Sequence, residues 1–331
     1  MLILLKELGA DVTGYSLTPP TEPSMFNLLN LESFCKHYVD DVRNLNALES
    51  VVSEANPEVV IHMAAQPLVR ASYVNPIETY TTNVLGTANV LEACRHATSV
   101  RAIVNVTTDK CYENLERGAS FVETDRLGGY DPYSNSKACS ELVSSAYRDS
   151  FFSPAGVGLA TARAGNVIGG GDFAEDRLVP DAIRAFVSRK PLQVRNRLAT
   201  RPWQHVMEPV VGYLLLAQRL FDDMKFAEGW NFGPYARDVA SVEQVASGLV
   251  RYWGKSAQWQ QASGQHPHEA ASLTLDCEKA HTRLRWHPKL SLDEALALSV
   301  DWYHTWQSEG DLLELTRFQL AEFIALNPAV K

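Results

Sequence analysis

Hydrophobic positions in the first half of the chain gather into short, nearly continuous runs separated by stretches of helical period. Residues 10–15, 58–63 (EVVIHM), 101–107 (RAIVNVT) and 157–164 (VGLATARA) read as strands. Runs with so little polar interruption suit parallel strands covered on both faces. Residues 80–96 and 134–148 carry the spacing of amphipathic helices, and residues 2–9 read as a further helix ahead of the strand at 10–15. Alternation of β and α over this length predicts an α/β fold with a doubly wound parallel sheet.

Beyond Gly165 the pattern loosens. Gly169-Gly170-Gly171-Asp172 marks a loop, residues 180–188 and 209–221 read as helices, and residues 191–195 and 230–232 as short strands. Ser241 with Gln244 and Ser291 with Glu294 have the spacing of capping boxes that open two more helices. This predicts a dinucleotide-binding half over 1–165 and a smaller mixed α/β region over 166–331. The latter mainly covers substrate, with 205–235 returning to the sheet.

Composition narrows the function. A net charge of −9 lacks the basic face that a nucleic-acid partner needs. No apolar run is long enough to span a bilayer, and the apolar start ends at Lys6 and Glu7, too soon for a signal-peptide core. The five cysteines (Cys35, Cys94, Cys111, Cys139, Cys277) form no C-x-x-C pair, which points to reduced thiols in a cytoplasmic protein with no bound metal. His266, His268 and Glu269 cluster in sequence but make no convincing metal triad.

Candidate chemistry lies at the ends of the strands. Thr107-Thr108-Asp109-Lys110 closes the third strand, His62-Met63-Ala64-Ala65-Gln66 the second and Arg163-Ala164-Gly165-Asn166 the fourth. Carboxyl ends of parallel strands are where such sheets place ligands. Tyr133 and Lys137, four apart, project from one helix face, where a lysine cation would favour the phenolate and make Tyr133 a base for an alcohol. By itself Y-x-x-x-K also fits a plain surface helix.

Taken together, MAAQPLVR (63–70), TTDKCYEN (107–114), GGYDPYSNSK (128–137), RAGNVIGGGD (163–172), RPWQHV (201–206), GWNFGP (229–234) and HPHEA (266–270) resemble one family across essentially the whole chain. It is the extended short-chain dehydrogenase/reductase family, within it the sugar-nucleotide 4,6-dehydratases, and among those the CDP-glucose branch. The resemblance implies a Rossmann-type fold, NAD as cofactor and CDP-glucose as substrate. Hydride leaves sugar C4 for NAD while Tyr133 takes the hydroxyl proton. Water is then lost across C5 and C6, and hydride returns to C6.

It further implies that Thr108 bonds the C4 oxygen, Asp109 is the acid for the C6 hydroxyl and Lys137 holds the nicotinamide ribose. Lys110 stands where dTDP- and GDP-sugar dehydratases carry a carboxylate base, and could serve as that base only with a lowered pKa. Ser16, Asp41, Val42, Ala64, Ala65, Gln66 and Asn83 are implied around the cofactor; Asn166, Arg195, Arg201 and His268 are implied around substrate. The resemblance also implies a homodimer and a place in dideoxyhexose synthesis for lipopolysaccharide O-antigen.

One element of the family pattern is not found. The glycine-rich turn that joins the first strand to the first helix and holds the pyrophosphate would precede residues 2–9. This leaves open a start assigned too late or an inactive truncated remnant, beside a 4-epimerase or a dehydratase of another sugar nucleotide. An epimerase needs no elimination acid, so Asp109-Lys110 speaks against that reading.

Overall fold

The computed structural model describes residues 1–116, 118–263 and 272–327. Twelve strands are described: β1 (Thr13–Ser16), β2 (Lys36–Val39), β3 (Val59–His62), β4 (Ala102–Val106), β5 (Gly158–Ala164), β6 (Val167–Ile168), β7 (Leu192–Val194), β8 (Thr200–Arg201), β9 (Gln204–His205), β10 (Gly229–Phe232), β11 (Ala240–Ser241) and β12 (Trp259–Gln261). Four of them form a parallel sheet in the order β10-β5-β4-β3. β1 and β2 form a separate parallel pair, and among the described residues no strand bridges β1 to β3.

The alternation along the central strands sorts their side chains into two cores. Ala102 and Val104 of β4, with Ala160 and Ala162 of β5, face the Met207–Asp222 helix. Ile103 and Leu159 point the other way, to Val90, Leu91 and Cys94 of the Gly86–Arg95 helix. The period of two places successive residues on opposite faces, so both faces must be covered. Alanines on the first face let the helix lie close. At Gly212 a Cβ would come within 2.5 Å of Phe232 on β10.

The expected strands are present, most with trimmed ends, while β1 runs on to Ser16 and β10 begins one residue earlier, at Gly229; β10 pairs in parallel with β5. β2 (KHYV) was not anticipated: its outer residues are exposed and two of four are basic, so no apolar run marks it. The helix expected over 80–96 begins earlier, at Pro76, where the Asn75 side chain caps it. It continues through one wide π-turn at Thr81–Leu85 into Gly86–Arg95. Both capping boxes form as their spacing predicts.

A third core, with Ile183, Leu192, Trp203, Leu249, Leu296, Trp302 and Tyr303, holds the later part of the chain together. Short pairings tie it down: β6 with β9, β7 with β12 and β8 with β11. These strands hang the residues after β5 over the carboxyl ends of β4 and β5.

Candidate active site

The Pro132–Tyr147 helix starts under a strong local instruction. Pro132 occupies its first turn and the Asp131 side chain accepts a hydrogen bond from the Ser134 N–H. Gly129, at φ 150°, lets the preceding loop pass over the helix start; a Cβ there would lie 2.4 Å from the Asn135 nitrogen. The helix's inner stripe is polar and small. Asn105 of β4 donates to Ser140 (3.0 Å) and Ser144 (2.8 Å), while Asn83 donates to Ser136 (2.9 Å). Serines there bring helix and strand close and fix the rotation that presents Tyr133.

β4 ends beside it. Thr107 turns to Glu141, and the next three residues enter a cavity of about 760 Å³. Thr108, Asp109, Lys110, Tyr133, Asn166, Arg195 and Arg201 all line this cavity. Residues more than ninety positions apart thus meet in one space. Lys137 is buried just outside it, its ammonium donating to the Val106 carbonyl at 3.1 Å.

Burial dominates the electrostatics. It pushes the Asp109 carboxyl up, with Lys110, Thr108 and Arg201 only partly opposing it. Thr108 donates to one Asp109 oxygen at 3.1 Å; the other, Oδ2, is buried and has no partner. A protonated acid held in this way has a proton to give to a hydroxyl entering the cavity. Burial also raises the Tyr133 phenol to about 12, with Thr108 opposing and Asp109 reinforcing the rise. The depression expected from Lys137 is not seen: Thr108 and Arg177 are the groups that oppose the rise. Lys137 itself is brought down to about 8 by burial, against the pull of Glu141 and Cys111.

The residues expected around a cofactor are spread outside the cavity lining. Ser16 ends β1, exposed, with its hydroxyl 2.9 Å from His37 Nε2. Asp41 follows β2 and pairs with Arg43, whose hydrogen bond holds its carboxyl below the usual range despite partial burial. Val42 is buried and its carbonyl accepts from Asn89 at 3.0 Å. Ala64 and Ala65 follow β3, half-buried. Gln66 and Asn83 hold each other: the Gln66 N–H donates to Asn83 Oδ1 at 2.8 Å, and Asn83 Nδ2 donates to the Gln66 carbonyl at 3.0 Å. Their polar groups shape the loop after β3. His268, with His266 and Glu269, lies outside the described residues.

Sequence reasoning missed several participants. Glu141, one turn beyond Lys137, forms a buried ion pair with Arg163 at 2.7 Å and accepts from Thr161 at 2.6 Å. Arg163 in turn donates to Tyr112 (2.8 Å), which donates to Asn231 of β10 (2.6 Å). The four-residue spacing Tyr133–Lys137–Glu141 was a readable signal for that stripe. Arg70, Asp172, Asp176, Arg177 and Tyr213 also line the cavity. Of these, Arg70 closes one of the motifs quoted above, whereas nothing local distinguishes Asp176 or Tyr213.

Comparison with known proteins supplies the context. The family model described as GDP-mannose 4,6 dehydratase matches residues 24–298. The chain is 48% identical to the CDP-glucose 4,6-dehydratase of Salmonella typhimurium, over 97% of this chain and 91% of that protein. It is 30% identical to a dTDP-glucose 4,6-dehydratase of Streptomyces antibioticus, over 80% and 74%. Among solved structures, a dTDP-glucose 4,6-dehydratase from Streptomyces venezuelae with NAD bound superposes with TM-score 0.79 at 22% identity, covering 94% of this chain and 96% of that one. The UDP-glucuronic acid 4-epimerase of Bacillus cereus, in complex with its sugar nucleotide and NAD, gives TM-score 0.77 at 23% identity, with 92% and 94% covered. These two likenesses establish a shared fold.

Proposed function

The chain belongs to the GDP-mannose 4,6 dehydratase family, and from that premise we propose that it converts CDP-D-glucose to CDP-4-dehydro-6-deoxy-D-glucose. The observation that carries the reading is Asp109. It is a buried acid with a raised pKa and an unpartnered oxygen, in the same cavity as Thr108, Lys110 and Tyr133.

NAD, when bound, accepts hydride from sugar C4 and returns it to C6. The described chain fits it at two places. Ser16, Asp41, Val42, Ala64 and Ala65 stand at or just after the carboxyl ends of β1, β2 and β3, where an adenosine end would lie. Lys137, buried beneath Tyr133 with its ammonium at the end of β4, is suited to a ribose hydroxyl. Gln66 and Asn83 support that wall by shaping the loop after β3. A glycine-rich cradle for the pyrophosphate is not among the described residues.

The chain's own residues divide the proton transfers. Tyr133 takes the C4 hydroxyl proton, with Thr108 bonding the same oxygen. The Tyr133 phenol starts high because of burial, so the cation at Lys137 and the charge of bound cofactor must lower it for the base form to be reached. Once C4 is a ketone the C5 proton is acidic. Lys110 faces the cavity and takes it in its neutral amine form, while Asp109 protonates the departing C6 hydroxyl. Burial raises the Asp109 carboxyl and so favours the protonated form that this step needs. Arg195 and Arg201 line the same space and bind the nucleotide diphosphate, guanidinium matching phosphate, and Asn166 also contacts substrate there. In this reading residues 1–165 serve mainly the cofactor and 166–331 mainly the substrate. His268 remains a proposed substrate contact outside the described residues.

The same reading includes a homodimer. Val74, Ile77, Leu85, Leu142 and Phe151 are exposed along the helical segments between 69 and 152, Val74 at 87%. Pairing those helices with a second copy would cover apolar surface left to water. It also includes a cytoplasmic location, which five free thiols suit, and a role in supplying dideoxyhexose for O-antigen. The test is turnover of CDP-glucose with NAD by the native chain and by Asp109→Asn. Product from the first and far slower turnover by the second is expected; equal turnover would remove Asp109 from the mechanism.

A further inference from the structure

Asp176 makes an unusual contact at the cavity wall. Its Oδ1 accepts from Arg70 Nη1 at 2.7 Å and from Arg195 Nη1 at 2.9 Å. Arg70 sits on the Val69–Val74 helix after β3, and Arg195 directly follows β7. One carboxylate oxygen therefore links positions 106 residues and 19 residues away, from the two sides of the cavity. All three residues line it. Asp176 reaches this place from a tight turn, with φ 61°, in the loop before the Leu178–Val187 helix.

The charge balance of the cluster is uneven. Two guanidinium groups share one carboxylate, while the neighbouring acid, Asp172, is paired with Arg177 at 3.1 Å. Side-chain exposures of 45%, 26% and 34% for Arg70, Arg195 and Asp176 keep the contact open to water. Such open pairs contribute little and exchange readily. A diphosphate offers the same two arginines more charge and several acceptor oxygens, each able to take a charge-assisted bond. Burial pushes the Asp176 carboxyl up, but the two arginines more than offset it, so it competes as a full anion.

We propose that Asp176 is an internal stand-in for the substrate's diphosphate: it holds Arg70 and Arg195 together until a nucleoside diphosphate displaces it. Arg70 thereby joins Arg195 as a diphosphate ligand, and Asp176 weakens diphosphate binding and speeds release. The inference rests on the reading that the substrate is a nucleoside diphosphate sugar, and deepens it at one subsite.

The test uses the full chain with CDP and with cytidine, which lacks the phosphates, as calorimetric probes. Asp176→Asn keeps the shape and tolerates the left-handed backbone, and its folding is checked by thermal melting. Its Kd for CDP is expected to fall roughly two- to fivefold, the scale of one exposed ion pair, with cytidine unchanged. Arg70→Gln is expected to weaken CDP at least as much in the other direction. In the Arg70→Gln background the effect of Asp176→Asn should shrink, because half the contact is gone. An unchanged or weaker CDP affinity in Asp176→Asn would overturn the inference while leaving the substrate reading intact, as would loss of cytidine binding in parallel with CDP. Failure of the native protein to bind CDP at all would overturn both.

Discussion

At Asp109 burial and neighbouring cations pull in opposite directions, and burial prevails. That outcome sets a pH dependence. The acid acts only while protonated, so turnover should fall as pH rises through its raised pKa. In Asp109→Asn that alkaline limb should vanish along with about 10²–10⁴ of the rate, a loss typical of removing a general acid. A pH–rate profile of the two proteins checks it. Lys110→Met is expected to cost a similar factor at the C5 proton step, read as failure of solvent deuterium to enter C5.

These residues were legible because each stands at a strand end or on a helical repeat. Arg70 and Asp176 were not, because they meet across 106 residues and no local pattern joins them. The pKa of Tyr133 was misjudged for the same kind of reason. Helical spacing gives the proximity of Lys137, but burial is a property of the folded surroundings.

At the scale of elements, the helix that carries Tyr133 is anchored through Glu141 to Arg163 on β5. Both side chains are nearly inaccessible. Glu141→Ala would leave a buried guanidinium unpaired, and a loss of about 3–5 kcal/mol in denaturant unfolding is expected. Glu141→Gln keeps part of the hydrogen bonding and should lose less. Strands β4 and β5 could be read from sequence because two-sided burial goes with nearly continuous apolar runs, and β3, though only partly buried, is as apolar a run. β6, β8, β9 and β11, at two residues each, are too short to carry any period. They exist because tertiary packing brings the chain segments together. The Pro132–Tyr147 helix hid half its nature likewise, since its sheet-facing stripe is serine rather than leucine.

For the whole molecule, Glu208 couples the substrate-side region to pH. Burial raises its carboxyl from 4.5 to about 7, against two backbone N–H groups from Lys289 and Leu290, each 2.7 Å from Oε1. A carboxyl raised on folding favours the folded state in its neutral form. Its contribution is therefore full below about 4.5 and is lost as pH rises through about 7. Glu208→Gln should melt at a temperature less dependent on pH across that window and be the more stable protein above it. Scanning calorimetry at several pH values decides this. At the same scale, light scattering is expected to give twice the 36.7 kDa chain mass. A stable monomer would show that the exposed apolar helices have some other use.

The central claim is that one cavity dehydrates CDP-glucose, and direct turnover tests it. The purified chain is incubated with NAD and, in separate reactions, CDP-glucose, dTDP-glucose and GDP-mannose, and the 4-keto product is followed by its absorbance in alkali. The account predicts product from CDP-glucose, formed much faster than from the other two. Turnover of dTDP-glucose or GDP-mannose in preference to CDP-glucose, or of none of the three, would contradict it.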